Sequence, residues 1–376
     1  MITELLTGFR AEIAELRFTG PRARQGYAVA FAVTLAVAAA ALFTLNDAWW
    51  VAISAFTVSQ TTRPASLRRG TLRIVGTIIG AVIALACAST LAYNHALCAL
   101  FLLAAGTLGT LGYLLSPFGY AWLLAAITAM MIVLMSLTDP TVAFSGATDR
   151  VADVMIGTAA AMLAALLFAP DETAAPPQPS GFTDLLGANR PALLHALRSG
   201  ITVMLIPLLG IGLGLPGLPQ MDVTAAAVMA VQPPRGFEDH TPFVTRALQR
   251  IWGCLIGGAV ALLLLAMPLT NFLLWLLALT VGVFVGVQLQ SSQRAISYAG
   301  TQATIVYIMT LVQGVGPPTS LLPGIERFVG ITGGITVLLL VSVVLWPTPA
   351  GKPGPGHRQG YQSSGRSHRR SPSTTA

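Results

Sequence analysis

The chain has 376 residues, of which 54% are hydrophobic and 9% charged, with a formal net charge of +7. Ordinary soluble domains carry about 25% charged residues; so few charges cannot cover a soluble surface of this size, which excludes that class and leaves an all-α polytopic membrane protein. The basic balance implies no nucleic-acid partner, because the arginines gather in loops on one side of the predicted spans.

Residues 1–25 carry Glu4, Arg10, Glu12, Glu15, Arg17, Arg22 and Arg24. They read as a short cytoplasmic helix before the first span, not as a signal peptide. About twelve apolar segments follow, at 26–45, 48–60, 74–93, 96–114, 120–137 and 151–169, then at 196–215, 220–232, 251–267, 270–288, 298–313 and 327–346. Most approach the ~20 residues that a bilayer core requires. The second and eighth are short, which leaves tilted, re-entrant and broken segments all open. A Pro-rich linker at 171–194 separates a first six-helix unit (26–170) from a second (195–347). Residues 348–376, rich in Gly, Ser, Pro and Arg, read as a disordered basic tail, either solvated or touching anionic headgroups. With both termini in the cytoplasm, only Arg150 and Arg327 of the 21 Lys and Arg residues fall off the cytoplasmic side.

The two units repeat. Arg69, Arg73, Ile74, Gly76, Ile79, Gly80, Ala84 and Leu85 recur 177 residues later as Arg246, Arg250, Ile251, Gly253, Ile256, Gly257, Ala261 and Leu262. At the same offset Asp149, Arg150, Gly157 and Pro170 meet Glu326, Arg327, Gly334 and Pro347, while Gln60 and Arg63 meet Gln232 and Arg235 at 172. Six spans per unit is even, so the repeats run parallel, related by a pseudo-two-fold axis along the membrane normal. A transport path is expected on that axis.

Enzyme chemistry fails on inventory. The one lysine, Lys352, lies in the tail, so no phosphate-cradling GxxxxGK[ST] loop exists. The five histidines make no metal-ligand spacing, no nucleophilic triad can be argued, and the three cysteines lie in apolar segments without CxxC spacing. No cofactor and no metal is expected.

What remains are ionisable residues in or beside spans, which are functional candidates. On a helix Arg69, Arg73, Gly76 and Gly80 share one face. Gly76 with Gly80, Gly253 with Gly257 and Gly330 with Gly334 form GxxxG pairs that let helices approach closely. Arg73 and Arg250, with Arg69 and Arg246, are read either as positive-inside anchors or as the cytoplasmic mouth of a cavity, where a guanidinium fork matches a carboxylate. Gln60 and Gln232, on the short spans, join them as substrate-binding candidates. Arg150 and Arg327 are placed at the outer ends of the sixth and twelfth spans, either ion-paired with Asp149 and Glu326 or forming a gate. Asp153 and Asp222 are the candidates for proton coupling. Trp49, Trp50, Ser54 and Thr57 on the second span, and Thr224 on the eighth, fit a substrate path or, for the tryptophans, interfacial anchoring.

The Arg-x-x-Gly-Thr-x-x-Gly run at 73–80, its relaxed copy at 250–257 and the Trp-bearing short span resemble the fusaric acid resistance protein-like superfamily of integral-membrane-bound transporters, over about 24–347. Cys254 replaces the motif threonine in the second copy. The resemblance implies export of small organic, aromatic carboxylic acids across a bacterial inner membrane. A proton gradient and the membrane potential are both open as the driving force, and a periplasmic adaptor or a second copy of the chain is open as a partner. A passive anion channel and a non-transporting scaffold stay open beside it.

Overall fold

The computed structural model describes residues 2–139, 141–172, 181–183, 185–214, 217–231, 241–267, 271–294, 296–314, 316–318, 320 and 322–345. Among them the secondary structure is thirteen helices: α1 (Ile2–Ala14), α2 (Pro21–Leu42), α3 (Ala48–Val58), α4 (Arg63–Ala92), α5 (His95–Leu115), α6 (Gly119–Thr138), α7 (Val142–Phe168), α8 (Arg190–Gly212), α9 (Leu218–Met229), α10 (Thr241–Leu265), α11 (Phe272–Gln290), α12 (Ser297–Leu311) and α13 (Leu322–Leu345). The predicted segments fall one to a helix on α2 to α13. Nine of these helices are long and apolar enough to cross a membrane. The exceptions are α3, α9 and α12, at about 17, 18 and 23 Å for a rise of 1.5 Å per residue, against a hydrocarbon core of about 30 Å. The shortness of α3 and α9 was expected; that of α12 was not.

The local signals agree with these boundaries. Prolines open α2, α4, α8 and α9, where a missing N–H costs nothing. Asn94 and Asn271 cap α5 and α11 by accepting from Leu97 N and from Leu273 N and Leu274 N.

Several helix pairs recur when six is added to each helix number, though not all do. α4 lies on α6 as α10 lies on α12, α3 on α7 as α9 on α13, and α2 on α7 as α8 on α13. Between the halves α2 meets α11 as α8 meets α5, and α3 meets α12 as α9 meets α6. One apolar cluster joins both halves, burying Phe56, Met130 and Ile132 of the first with Met221, Ile308 and Leu311 of the second.

Lipid tails are as apolar as leucine, so close van der Waals contact must hold such helices together. Glycine supplies it. A Cβ at Gly76 or Gly80 would stand 2.5 or 2.3 Å from the carbonyl oxygens of Ala121 and Ala125 on α6. At Gly253 and Gly257 it would stand 2.3 and 2.0 Å from those of Ala299 and Ala303 on α12. Gly157 meets Val51 on α3, and Gly330 and Gly334 meet Gly217, Gln220 and Met221 at α9.

Helix α1 is docked rather than loose. Phe9 is buried against Leu289, Ile296 and Ala299. The buried Glu12 carboxylate accepts from Arg22 Nη2 (2.8 Å), Ser292 Oγ (2.6 Å) and Arg294 Nη1, while Arg294 also donates to Glu15 (2.8 Å). Burial pushes the Glu12 pKa up, but the hydrogen bonds from Ser292, Arg22 and Arg294 outweigh it and hold the group below the ordinary carboxylate value.

Two predictions follow from these contacts. Gly257→Ala drives a methyl into backbone and lowers the melting temperature in detergent, by an overpacking cost of about 1–3 kcal/mol. Gly258→Ala, whose nearest neighbour stands at 3.5 Å, leaves it unchanged. Because the Glu12 pKa is depressed, its docking contribution is full at neutral pH and is lost as pH falls through that lowered value. Glu12→Gln removes it at all pH, at about 1–3 kcal/mol, and hydrogen exchange over residues 2–14 rises.

Candidate functional site

The glycine contacts between α4 and α6 place the side chains beside them. Arg73 lies about 15 Å along α4 from Arg63 at 1.5 Å per residue, and only 4% of it is exposed. Its Nη1 donates to Tyr120 Oη at the start of α6 (2.8 Å), and its Nε and Nη2 donate to Ser54 Oγ on α3 (3.3 and 3.1 Å). One turn earlier on α4, the half-buried Arg69 rests its guanidinium on the face of the same Tyr120 ring, 4.3 Å from the centroid. The tyrosine therefore serves two cations, one through its π-face and one through its hydroxyl.

The second half builds the same object. Arg250, 7% exposed, donates through Nη1 to Tyr298 Oη (3.4 Å) and through Nη2 to Thr224 Oγ1 on α9 (3.2 Å). Arg246 lies over the Tyr298 ring at 4.2 Å. Each constellation draws every one of these partners from its own half.

One placement differs from expectation and another bears on two readings left open. Arg73, read either as a positive-inside packing anchor or as the mouth of a cavity, lies buried inside the bundle, because α4 begins at Arg63 and carries its basic first turns into the packed region. Arg150 was expected at the outer end of its span, beside Asp149. Helix α7 starts at Val142, so Arg150 stands about 12 Å along it, 5% exposed. Its guanidinium lies 3.3 Å from the Trp50 ring centroid, and its Nε and Nη1 have no hydrogen-bond partner. Asp149 instead accepts from Asn46 Nδ2 at 3.3 Å. Arg73, Asp153, Asp47 and Tyr120 all lie within electrostatic reach of Arg150. The first half thus gathers Arg69, Arg73, Arg150 and Asp153 into one cluster around α3.

The remaining candidates separate. Asp222 is fully buried and neither carboxyl oxygen has a hydrogen-bond partner. It precedes Thr224 by two residues, roughly 200° around a helix, and acts electrostatically on Cys98 of α5, so it faces away from Arg250. Gln60 folds back on its own turn, donating from Nε2 to Thr57 O and Ser59 O (3.3 and 3.0 Å). Gln232 and the side chain of Arg327 lie outside the described residues.

The cations of this arrangement are met by neutral groups, hydroxyls and aromatic faces. The ion pairs found among the described residues join Glu12 to Arg22 and Arg294, Glu15 to Arg294, and Arg63 to Asp171. Arg69, Arg73, Arg150, Arg246 and Arg250 share in none of them. Taking a guanidinium out of water without a counter-charge is costly, and neutral hydroxyls and aromatic faces meet only part of that cost.

Tyr120 and Tyr298 were not anticipated from the sequence. The available signal was the Tyr-Ala pair at 120–121 and 298–299, which recurs at 178 rather than 177 and so drops out of a search at a single offset.

Comparison with known proteins bears on this site. Residues 27–180 match the profile of the fusaric acid resistance protein family, and residues 223–341 match that of the fusaric acid resistance protein-like group. The p-hydroxybenzoic acid efflux pump subunit AaeB of Enterobacter cloacae subsp. cloacae is 38% identical over 104 residues, which is 27% of this chain and 16% of the relative. The match therefore spans well under two thirds of that relative's length. No solved structure matches.

Removing the tyrosine hydroxyl tests the local geometry. Tyr120→Phe strands Arg73 Nη1 and costs about 1–3 kcal/mol, read as a lowered melting temperature in detergent. Tyr120→Ala costs more, because the ring under Arg69 is lost as well, worth a further ~0.5–2 kcal/mol.

Proposed function

Membership of the fusaric acid resistance protein-like superfamily is the premise from which we propose that this protein exports small aromatic carboxylic acids across a bacterial inner membrane. The observation that carries the reading is the pair of arginine–tyrosine constellations in which neither buried arginine, Arg73 or Arg250, has an ion pair among the described residues. An arriving carboxylate supplies the missing charge, taking a bidentate grip from Arg73 or Arg250 beside the hydroxyl of Tyr120 or Tyr298. Arg69 and Arg246, held on the tyrosine faces, add positive potential on the approach. p-Hydroxybenzoate, the substrate in the relative's name, is a compound of this class.

In this reading the chain is two parallel six-helix repeats with both termini in the cytoplasm, where the 171–194 linker and the 348–376 tail also lie. Expelling a monoanion from a negative-inside cell gains ~2.3 kcal/mol per 100 mV, so membrane potential alone can drive export. Proton coupling through Asp153 or Asp222 is the alternative. The orientation of Asp222 away from Arg250 favours the potential-driven route. A periplasmic adaptor or a second copy of the chain completes the export path.

Efflux of p-hydroxybenzoate from proteoliposomes under an imposed potential tests the proposal. Arg73→Ala and Arg250→Ala each reduce flux by at least tenfold while the protein stays monodisperse, and the double variant is inactive. Asp153→Asn with Asp222→Asn retains potential-driven efflux. Unchanged flux in both arginine variants, with loss only in glycine packing variants, identifies a scaffold rather than a transporter.

A further inference from the structure

We propose that a groove on the outside of the second half holds one acyl chain of an anionic phospholipid, with its headgroup drawn to Arg10 and Arg17 beside α1. The groove lies between α10 and α11, is floored by α12, and encloses about 550 Å³. Val260, Leu264, Leu277, Val281 and Val285 form its walls, and Phe9 and Ile13 of α1 close one end. It follows α11 from Leu289 to Leu274, about 22 Å at 1.5 Å per residue, longer than one leaflet of a hydrocarbon core ~30 Å thick.

Three observations select the occupant. The polar atoms in the lining are already engaged: Thr304 Oγ1 donates to Gly300 O (2.9 Å) and Tyr307 Oη to Ala278 O (2.7 Å). No side-chain donor in the lining is therefore left for a carboxylate, and with walls that are otherwise apolar an acyl chain is the fitting guest. The groove also opens along faces that meet the hydrocarbon, since Leu263, Leu273, Leu277 and Val281 are each more than half exposed on helices of membrane-crossing length. In the first half α4 lies against α5, whereas α10 and α11 lack a contact of comparable extent among the described residues.

The third observation is charge. Glu12 is taken by Arg22 and Arg294, and Glu15 by Arg294. Arg10 and Arg17, both exposed, share in no ion pair among the described residues. Arg10 follows groove-lining Phe9. The carbonyl of Arg17 accepts from Gln288 Nε2 (2.8 Å), at the end of α11 where the groove closes. Two unpaired cations at the interface end of an apolar slot match an anionic headgroup above its chain.

The test is native mass spectrometry of the full chain, purified in mild detergent from membranes of phosphatidylglycerol and phosphatidylethanolamine. The wild type retains one phosphatidylglycerol through delipidation. Val260→Trp and Leu277→Trp, made separately to fill the groove, each lower its occupancy at least tenfold. Leu263→Trp, on the same helix but outside the groove, retains it. Arg10→Ala with Arg17→Ala keeps a bound lipid but loses the preference for phosphatidylglycerol. Absence of a retained lipid in wild type, or full retention in both groove-filled variants, overturns the proposal. So does a dimer that the groove-filling tryptophans dissociate, which makes the occupant a second copy of the chain.

Discussion

The structure depends on backbone approaching backbone without a side chain between. Gly76 and Gly80 bring α4 onto the carbonyls of Ala121 and Ala125, and Gly253 and Gly257 bring α10 onto those of Ala299 and Ala303. Because Tyr120 precedes Ala121 and Tyr298 precedes Ala299, the same contact delivers each tyrosine to the arginines one and two turns before the glycines. The packing motif and the charged motif are one device. A slide between these helices would break both together, which ties local stability to the geometry of the site.

Charge then decides what the device is for. Where the chain needs an arginine merely anchored, it supplies an acid, as at Arg22 and Arg294 on Glu12 or at Arg63 on Asp171. Inside the bundle it supplies a tyrosine and a hydroxyl instead, twice. Cost is incurred at those positions with no structural return that an ion pair or an apolar residue would not provide. In the function proposed above, an organic anion would complete the arrangement. The acidic side chains are divided unequally between the halves, Asp153 joining the first cluster and Asp222 facing away from the second. The two constellations are alike in how they grip and unlike in their surroundings.

Much of this was legible in the chain. The low charge set the class, hydropathy marked α2 to α13, and the repeated Arg-x-x-x-Arg-x-x-Gly spacing singled out the arginines and glycines that meet in space. The rest depended on tertiary contact. Tyr120 and Tyr298 escaped because one extra residue shifts their offset. The depth of Arg73 and Arg150 escaped because hydropathy marks where apolar runs start, while α4 and α7 begin about ten residues earlier in polar sequence. Nothing local in residues 1–25 indicated that Glu12 would bind Ser292 and Arg294, since that carboxylate acquires its partners only when α11 ends beside it.

The central claim is that the arginine–tyrosine constellations read a carboxylate, and calorimetric binding to the purified protein in lipid nanodiscs addresses it most directly. p-Hydroxybenzoate and its neutral methyl ester have the same ring and hydroxyl and differ in the group that the arginines would grip. The account predicts saturable binding of the acid, lost in the Arg73→Ala, Arg250→Ala double variant, with no measurable binding of the ester. Equal affinity for acid and ester, or acid binding that survives loss of both arginines, would contradict it.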